Sequence, residues 1–442
     1  MKNKKLLLCS ILLIVGLIFK FNVTKNINEE SLKPKGEKKN LLSMNLEQTA
    51  GAGDYKTVTQ SEWPTDGYKF NSELSRCENG SKLSWDDTKK VVVVTGNLSD
   101  KCYVYFDIYQ PTLAEYIKSQ YTGIQGENGI YYHNSSLSNG AGDNSYRYAG
   151  ANPNNYVCFG SNETTCPEEN LYRIIGVFDK SVKLIKYDYA TSEMLGTNGL
   201  YSEDVEIANF SNYKGSLNNI AMFKTAYDSS LAYNNETMII KLSNHKGSLA
   251  AGDPCDSAII DNIKFTPLGE INLNTNFVNY LSDSFKTKIK NNSWIINMFI
   301  NSAYSDTVQN IFLIEHASDG IAYEAKIGLM YASDYGYASN PNLWTMTMDN
   351  YTDTNIGLNN WMYMGVKENI ITDYQSPCNR IIISSNGSLD FISSSMVTTA
   401  IRPAFYLEPS VTYKSGLGTK DSPIILGDWY SLRKKVQNGK NS

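Results

Sequence analysis

Residues 170–189 read NLYRIIGVFDKSVKLIKYDY, and the fold class turns on them. Leu171 to Phe178 and Ser181 to Tyr189 are dense in β-branched and aromatic residues, and Asp179-Lys180 between them fits a two-residue turn. Near Ile174 and Ile175 both faces of the first run are apolar. This predicts a hairpin in the middle of a sheet rather than at its edge.

Downstream, strand-like runs recur at SWIINMFI (293–300), AKIGLMYA (325–332), WMYMGV (361–366), NRIIIS (379–384), SLDFIS (388–393) and AIRPAFYL (400–407). Asn386-Gly387 is the strongest hairpin signal among them. Pro403 lacks an N–H, so its strand is expected at an edge or at a bulge. NIFLIEH (310–316) also reads as a strand, on which Glu315 and His316 would point to opposite faces and could not act as a base and its partner. Helices are few. Thr112 and Glu115 form a capping box before Leu113, Tyr116, Ile117 and Tyr121, and Phe277, Tyr280, Leu281, Phe285 and Ile289 share one helical face behind Asn276. Few helices among many short strands and long loops make an α+β domain.

Upstream the chain changes character. Lys2, Lys4 and Lys5 precede an apolar run from Leu6 to Phe19, which as a helix would span roughly 20 Å, short of the ~30 Å hydrocarbon core. That is the pattern of a secretory signal, and both a cleaved signal and an uncleaved anchor fit it. Residues 1–22 are therefore read as signal or membrane anchor and 23–60 as a flexible polar linker. Residues 61–108 form a small β module around KKVVVVTG and KCYVYFD, and 427–442 a polar tail. Cys9 lies in the apolar run, which leaves Cys77, Cys102, Cys158, Cys166, Cys255 and Cys378 of the seven cysteines. An even set in an exported chain points to disulfides, with Cys77–Cys102, Cys158–Cys166 and Cys255–Cys378 as the expected pairs. No C-x-x-C is present, so zinc-ribbon and thioredoxin chemistry have no support.

Composition narrows the function. The net charge is −5 over 442 residues, with no basic stripe outside the two ends, which argues against nucleic acid. Tyrosines number 31 against 3 histidines, a balance that suits a binding surface better than acid–base catalysis. H-E-x-x-H, G-x-S-x-G and P-loop patterns are missing, and no carboxylate pair is singled out. The best binding candidate is 333–361, SDYGYASNPNLWTMTMDNYTDTNIGLNNW. Tyr335, Tyr337, Trp344 and Tyr351 would give ring faces, and Asn340, Asn342, Asp349 and Asn350 adaptable hydrogen bonds, toward a glycan or a protein epitope. Trp361, heading a strand, is expected to pack inward.

NNYVCFG (154–160), ENLYRIIGVF (169–178), VKLIKYDY (182–189), KIGLMYASDYGYAS (326–339), IRPAFYL (401–407) and GTKDSPIIL (418–426) together resemble an uncharacterised family of exported proteins from low-GC Gram-positive bacteria. That family is similar in plan to C-type-lectin-like domains of the formylglycine-generating-enzyme type. The resemblance covers residues 110–426, and SEWPTDGYKF, CENGSKLSW and DKCYVYFD resemble the small module that precedes this domain. It implies a C-type-lectin-like fold with long loops on display and a structural Arg402-Pro403-Ala404. The copper-binding branch of that group uses two neighbouring C-terminal cysteines, whereas Cys378 has no near neighbour, so an oxidase is not expected. Calcium-dependent lectins carry E-P-N or Q-P-D followed by W-N-D. SNPNLW and MDNYTD share only the flavour, leaving Asn340, Asn342, Asp349, Asn350 and Asp353 as partial oxygen ligands for calcium. No other cofactor is expected. These lines lead to an exported, membrane-tethered surface protein that binds a glycan or protein, an adhesin rather than an enzyme. An envelope hydrolase and a purely structural surface protein are the alternatives.

Overall fold

The computed structural model describes residues 42–59, 67–86, 88–97, 99–163, 165–224, 268–296, 298–299, 305–317, 321–374, 380–392 and 397–427. The expected signal or anchor, the tail beyond Gly427, and Cys255 and Cys378 lie outside them. No helix among the described residues is long and apolar enough to cross a membrane. The architecture is mixed α+β, with many strands and few, short helices. It divides into two compact units. Among the described residues the smaller holds Ser75–Val104 with Leu42 and Ser43, and the larger holds Met44–Leu74 and those from Tyr105 to Gly427.

In the larger unit nine strands form the main sheet: β1 (Ile130–Tyr132), β2 (Tyr146–Tyr148), β3 (Tyr156–Cys158), β4 (Leu171–Phe178), β5 (Ser181–Lys186), β6 (Ile327–Gly328), β7 (Ala404–Tyr406), β8 (Thr412–Ser415) and β9 (Ile424–Gly427). Their order is β6-β7-β5-β4-β3-β9-β8, with β2 also on β4 and β1 on β2. The β4–β5 hairpin is central, as its apolar faces require. It pairs Phe178 with Ser181 across a turn in which Asp179 takes φ 54°, and nearly every residue of both strands is buried. A bulge falls between Ile174 and Gly176, where a Cβ on Gly176 would come within 2.4 Å of the Tyr146 carbonyl oxygen. Pro403 denies no ladder bond: β7 begins one residue after it and lies between β6 and β5, not at an edge.

The helix α1 (Leu113–Ser119) has the expected cap. Thr112 Oγ1 accepts from Glu115 N at 3.2 Å, and Glu115 Oε2 accepts from Thr112 N at 2.8 Å. NIFLIEH proves helical: α2 (Val308–Glu315) buries Val308, Ile311, Phe312 and Glu315 on one face. A third helix, α3 (Ala332–Tyr337), follows β6. The helix expected over Phe277–Ile289 is broken. Its apolar face survives, with Phe277, Leu281, Phe285 and Ile289 buried, but Leu281 is extended (ψ 145°) between short turns at Val278–Tyr280 and Asp283–Lys286. WMYMGV forms turns rather than a strand, although all six residues are buried.

The expected linker ends earlier than residue 60. Leu42–Glu47 pairs antiparallel with Tyr55–Val58, Met44 opposite Val58. Met44 and Leu46 are buried, and the buried Glu47 carboxylate accepts from Gly53 N at 3.0 Å and Ile108 N at 2.9 Å. Averaged polarity over 23–60 hid this short alternation of Met44 and Leu46.

The smaller unit contains the antiparallel ribbon Lys82–Asp86 with Val91–Thr95, and Cys77 pairs with Cys102. Two of the three expected disulfides fall on described residues and both are present. Cys77–Cys102 has its Cα atoms 4.0 Å apart, and Cys158–Cys166 has them 5.8 Å apart. Such bonds fit an oxidising, extracellular-type compartment.

Candidate functional site

Residues 333–361 contain no long helix or strand, yet their aromatic side chains are core. Tyr335, Tyr337, Trp344 and Tyr351 are all at most 1% exposed and belong to one apolar cluster with Ile185, Val308, Met330 and Ile381. Each ring except that of Tyr337 is also tied by its polar atom. Tyr335 Oη donates to the Gly387 carbonyl at 2.8 Å, Trp344 Nε1 to Ser339 O at 3.1 Å, and Tyr351 Oη to Leu343 O at 3.2 Å. Trp361 packs inward as expected, its Nε1 donating to Tyr148 O at 2.8 Å. An exposed ring face is therefore not what this segment offers. A large ring contributes more by leaving water than by standing in it, and two of these rings find their polar partners within the segment itself.

The polar members are placed differently. Asn340, Asn342 and Asn350 are exposed and Asp349 is half-buried. Asn340 caps the turn Pro341–Leu343 by accepting from Asn342 N, and Asn350 Nδ2 donates to Thr347 Oγ1 at 2.6 Å. The segment is thus an amide-bearing outer edge on an aromatic mount. Among the described residues no three His, Cys, Asp or Glu side chains are grouped to hold a metal ion.

Directly beneath lies a constellation that sequence reasoning missed. Arg147 on β2, Lys183 on β5 and Asp334 on α3 are each at most 4% exposed. Lys183 Nζ lies 2.5 Å from Asp334 Oδ2, Arg147 Nη1 lies 3.5 Å from Asp334 Oδ1, and Arg147 Nη2 lies 2.7 Å from Asp143. Rings enclose both cations. The Lys183 ammonium faces Tyr331, Tyr406, Trp294 and Phe178 at 4.5, 5.2, 5.3 and 5.9 Å from their centroids. The Arg147 guanidinium faces Phe178, Tyr337 and Phe312 at 4.7–5.3 Å.

Electrostatics follow from this dryness. Burial pulls the Lys183 amine below its ordinary range, against the upward pull of Asp334. Burial also works on Asp143, but the Arg147 charge overrides it and brings that carboxyl down to about 2. Glu315, at the end of α2, is 1% exposed, and desolvation pushes it up to about 7. Its oxygens accept from Ala332 N at 2.9 Å, Ser333 N at 3.2 Å and the Thr372 hydroxyl. His133 is buried beside Tyr337, its Nδ1 accepting from Ala141 N at 3.0 Å.

Arg402, the arginine of the RPA run, forms a separate buried pair with Glu368, at 2.7 Å and 2.8 Å, and donates to Met362 O at 2.7 Å. The one sequence signal for the cage was period-2 alternation in SVKLIK, which puts Lys183 on the same face as Ile185. No family model matches the chain, and comparisons with curated proteins and with solved structures likewise found no match.

Proposed function

We propose that this chain is an exported, membrane-tethered surface protein that binds an extracellular glycan or protein through the amide-rich outer edge of residues 340–350. The carrying observation is the division of labour in that segment. Tyr335, Trp344 and Tyr351 fix the backbone from inside, while Asn340, Asn342 and Asn350 stand outside on a mount that need not reorganise. Adaptable hydrogen bonds from amides suit either class of ligand, and with few charges on the edge the binding should depend only weakly on salt. The two disulfides and the apolar run behind Lys2, Lys4 and Lys5 support the exported location. The competing hydrolase would rest on Glu315, which is buried and accepts from Ala332 N, Ser333 N and the Thr372 hydroxyl.

The test is a screen of the purified full chain against glycan and extracellular-protein arrays, followed by the pair Asn342→Ala and Asn350→Ala. Those changes should weaken any binding found at least tenfold while shifting stability by less than about 0.5 kcal/mol, as surface substitutions do. Binding that survives both changes would move the site elsewhere.

A further inference from the structure

Lys183 and Asp334 sit 151 residues apart in the chain and in contact in space, with the nitrogen and a carboxylate oxygen 2.5 Å apart in a site closed to solvent. We infer that these two side chains become joined by an intramolecular amide bond, Nζ to Cγ, with loss of one water.

Four features of the site favour that step. First, the reacting groups are held in register by β5 and the first turn of α3, which replaces an encounter with a fixed approach. Second, the four rings around Lys183 exclude water, so the free amine is favoured and bulk water is kept from hydrolysing the product. Third, Arg147 Nη1 lies beside Oδ1, where negative charge would develop as the nitrogen adds, and Tyr331 N already donates to Oδ2 at 2.9 Å. Fourth, Nζ and Oδ2 are 2.5 Å apart, so the protons that the nitrogen must shed have a direct path to the oxygen that must leave. A buried ion pair also carries a desolvation cost that a neutral amide of the same shape does not.

The chemistry balances without a co-reactant. The Lys183 ammonium first passes one proton to Oδ2, which makes the pair amine and carboxylic acid; Nζ then attacks Cγ, the N–C bond forms and the Cγ–Oδ1 π pair moves onto Oδ1. A second proton passes from the nitrogen to Oδ2 across the same contact. The Cγ–Oδ2 bond then breaks and Oδ2 departs as water. Amine plus carboxylic acid gives amide plus water, and nothing is oxidised or reduced. The product ties β5 of the main sheet to α3, the helix that opens the 333–361 segment.

The experiment is the mass of the purified full chain, denatured and with its disulfides reduced, together with a tryptic map. The expected result is a mass lower than that of the sequence by one water, with residues 181–186 recovered as one uncut peptide joined to 327–367. Lys183→Arg, which keeps a cation but removes the attacking amine, should leave the two peptides separate at the unlinked mass. Full sequence mass, with cleavage after Lys183 and an unlinked 327–367 peptide, would overturn the inference and leave a salt bridge. A lost water that maps elsewhere, such as a succinimide, would overturn it as well. The unmodified chain carries this decision, so it does not depend on any variant folding.

Discussion

Residues 75–104 and residues 333–361 are opposites. The first stretch is regular: a ribbon of paired strands in which Lys82 faces Thr95 and Asp86 faces Val91. Yet among its described residues only Asp100, Cys102 and Val104 are buried, and Val91 and Val93 are 38% and 40% exposed. The second stretch has only short helical turns, none longer than the six residues of α3, but buries four large rings to 1% or less. Backbone regularity and burial are thus separate properties. A unit with a thin core leans on its covalent staple, whereas a loop packed on a broad sheet draws its order from side chains that reach the core.

The largest expected effect tests the second half of that contrast. Trp344→Ala should cost about 3–5 kcal/mol, as a buried ring does, and lower the melting temperature accordingly. A thermal scan with no loss would return Trp344 to the surface. Next, selective removal of Cys77–Cys102 by paired Cys→Ser changes should destabilise the smaller unit by roughly 3 kcal/mol. Limited proteolysis would then cut within 75–104 while the main sheet resists, and unchanged resistance in both would show that the staple is dispensable.

β5 is a third case, both regular and buried, and it buries charge. Burial pulls Lys186 down to about 8 from 10.5. Between those values the unfolded chain holds more protons than the folded one, so this residue makes stability rise with pH across that window, and its cost is full below about 8. Lys186→Met should therefore stabilise by about 1–3 kcal/mol at pH 7. In urea titrations the gain should shrink toward pH 10.5, and a gain that stays flat with pH would contradict the burial argument. The smallest effect is expected for Val93→Thr on the exposed ribbon face, within about 0.5 kcal/mol of no change. A larger loss would mean that this face is covered.

How much of this could be read from the chain follows the same division. Local signals worked: Asp179-Lys180 and Asn386-Gly387 form the turns, Thr112 and Glu115 the cap, and Cys77 pairs with Cys102. Signals that depend on a distant partner did not. The composition of 333–361 suits an exposed paratope and a buried mount equally well, and only the sheet beneath, with Gly387 waiting for Tyr335, decides between them. The cage was legible only as far as the alternation in SVKLIK, which turns Lys183 inward but names no partner for it. Lys183, Asp334 and Arg147 come from three elements, and nothing in their spacing announces that they meet. Glu315 was misplaced because FLIE satisfies strand and helix patterns alike over so short a run.

One strand pairing bears on how the chain comes into being. Val157 is hydrogen-bonded in parallel register with Ile424, and β9 lies between β3 and β8, inside the sheet. A chain synthesised N-terminus first therefore holds β3 with one side unfilled until almost the last described residues have emerged. The domain cannot close early. It waits, open at one seam, for its own ending.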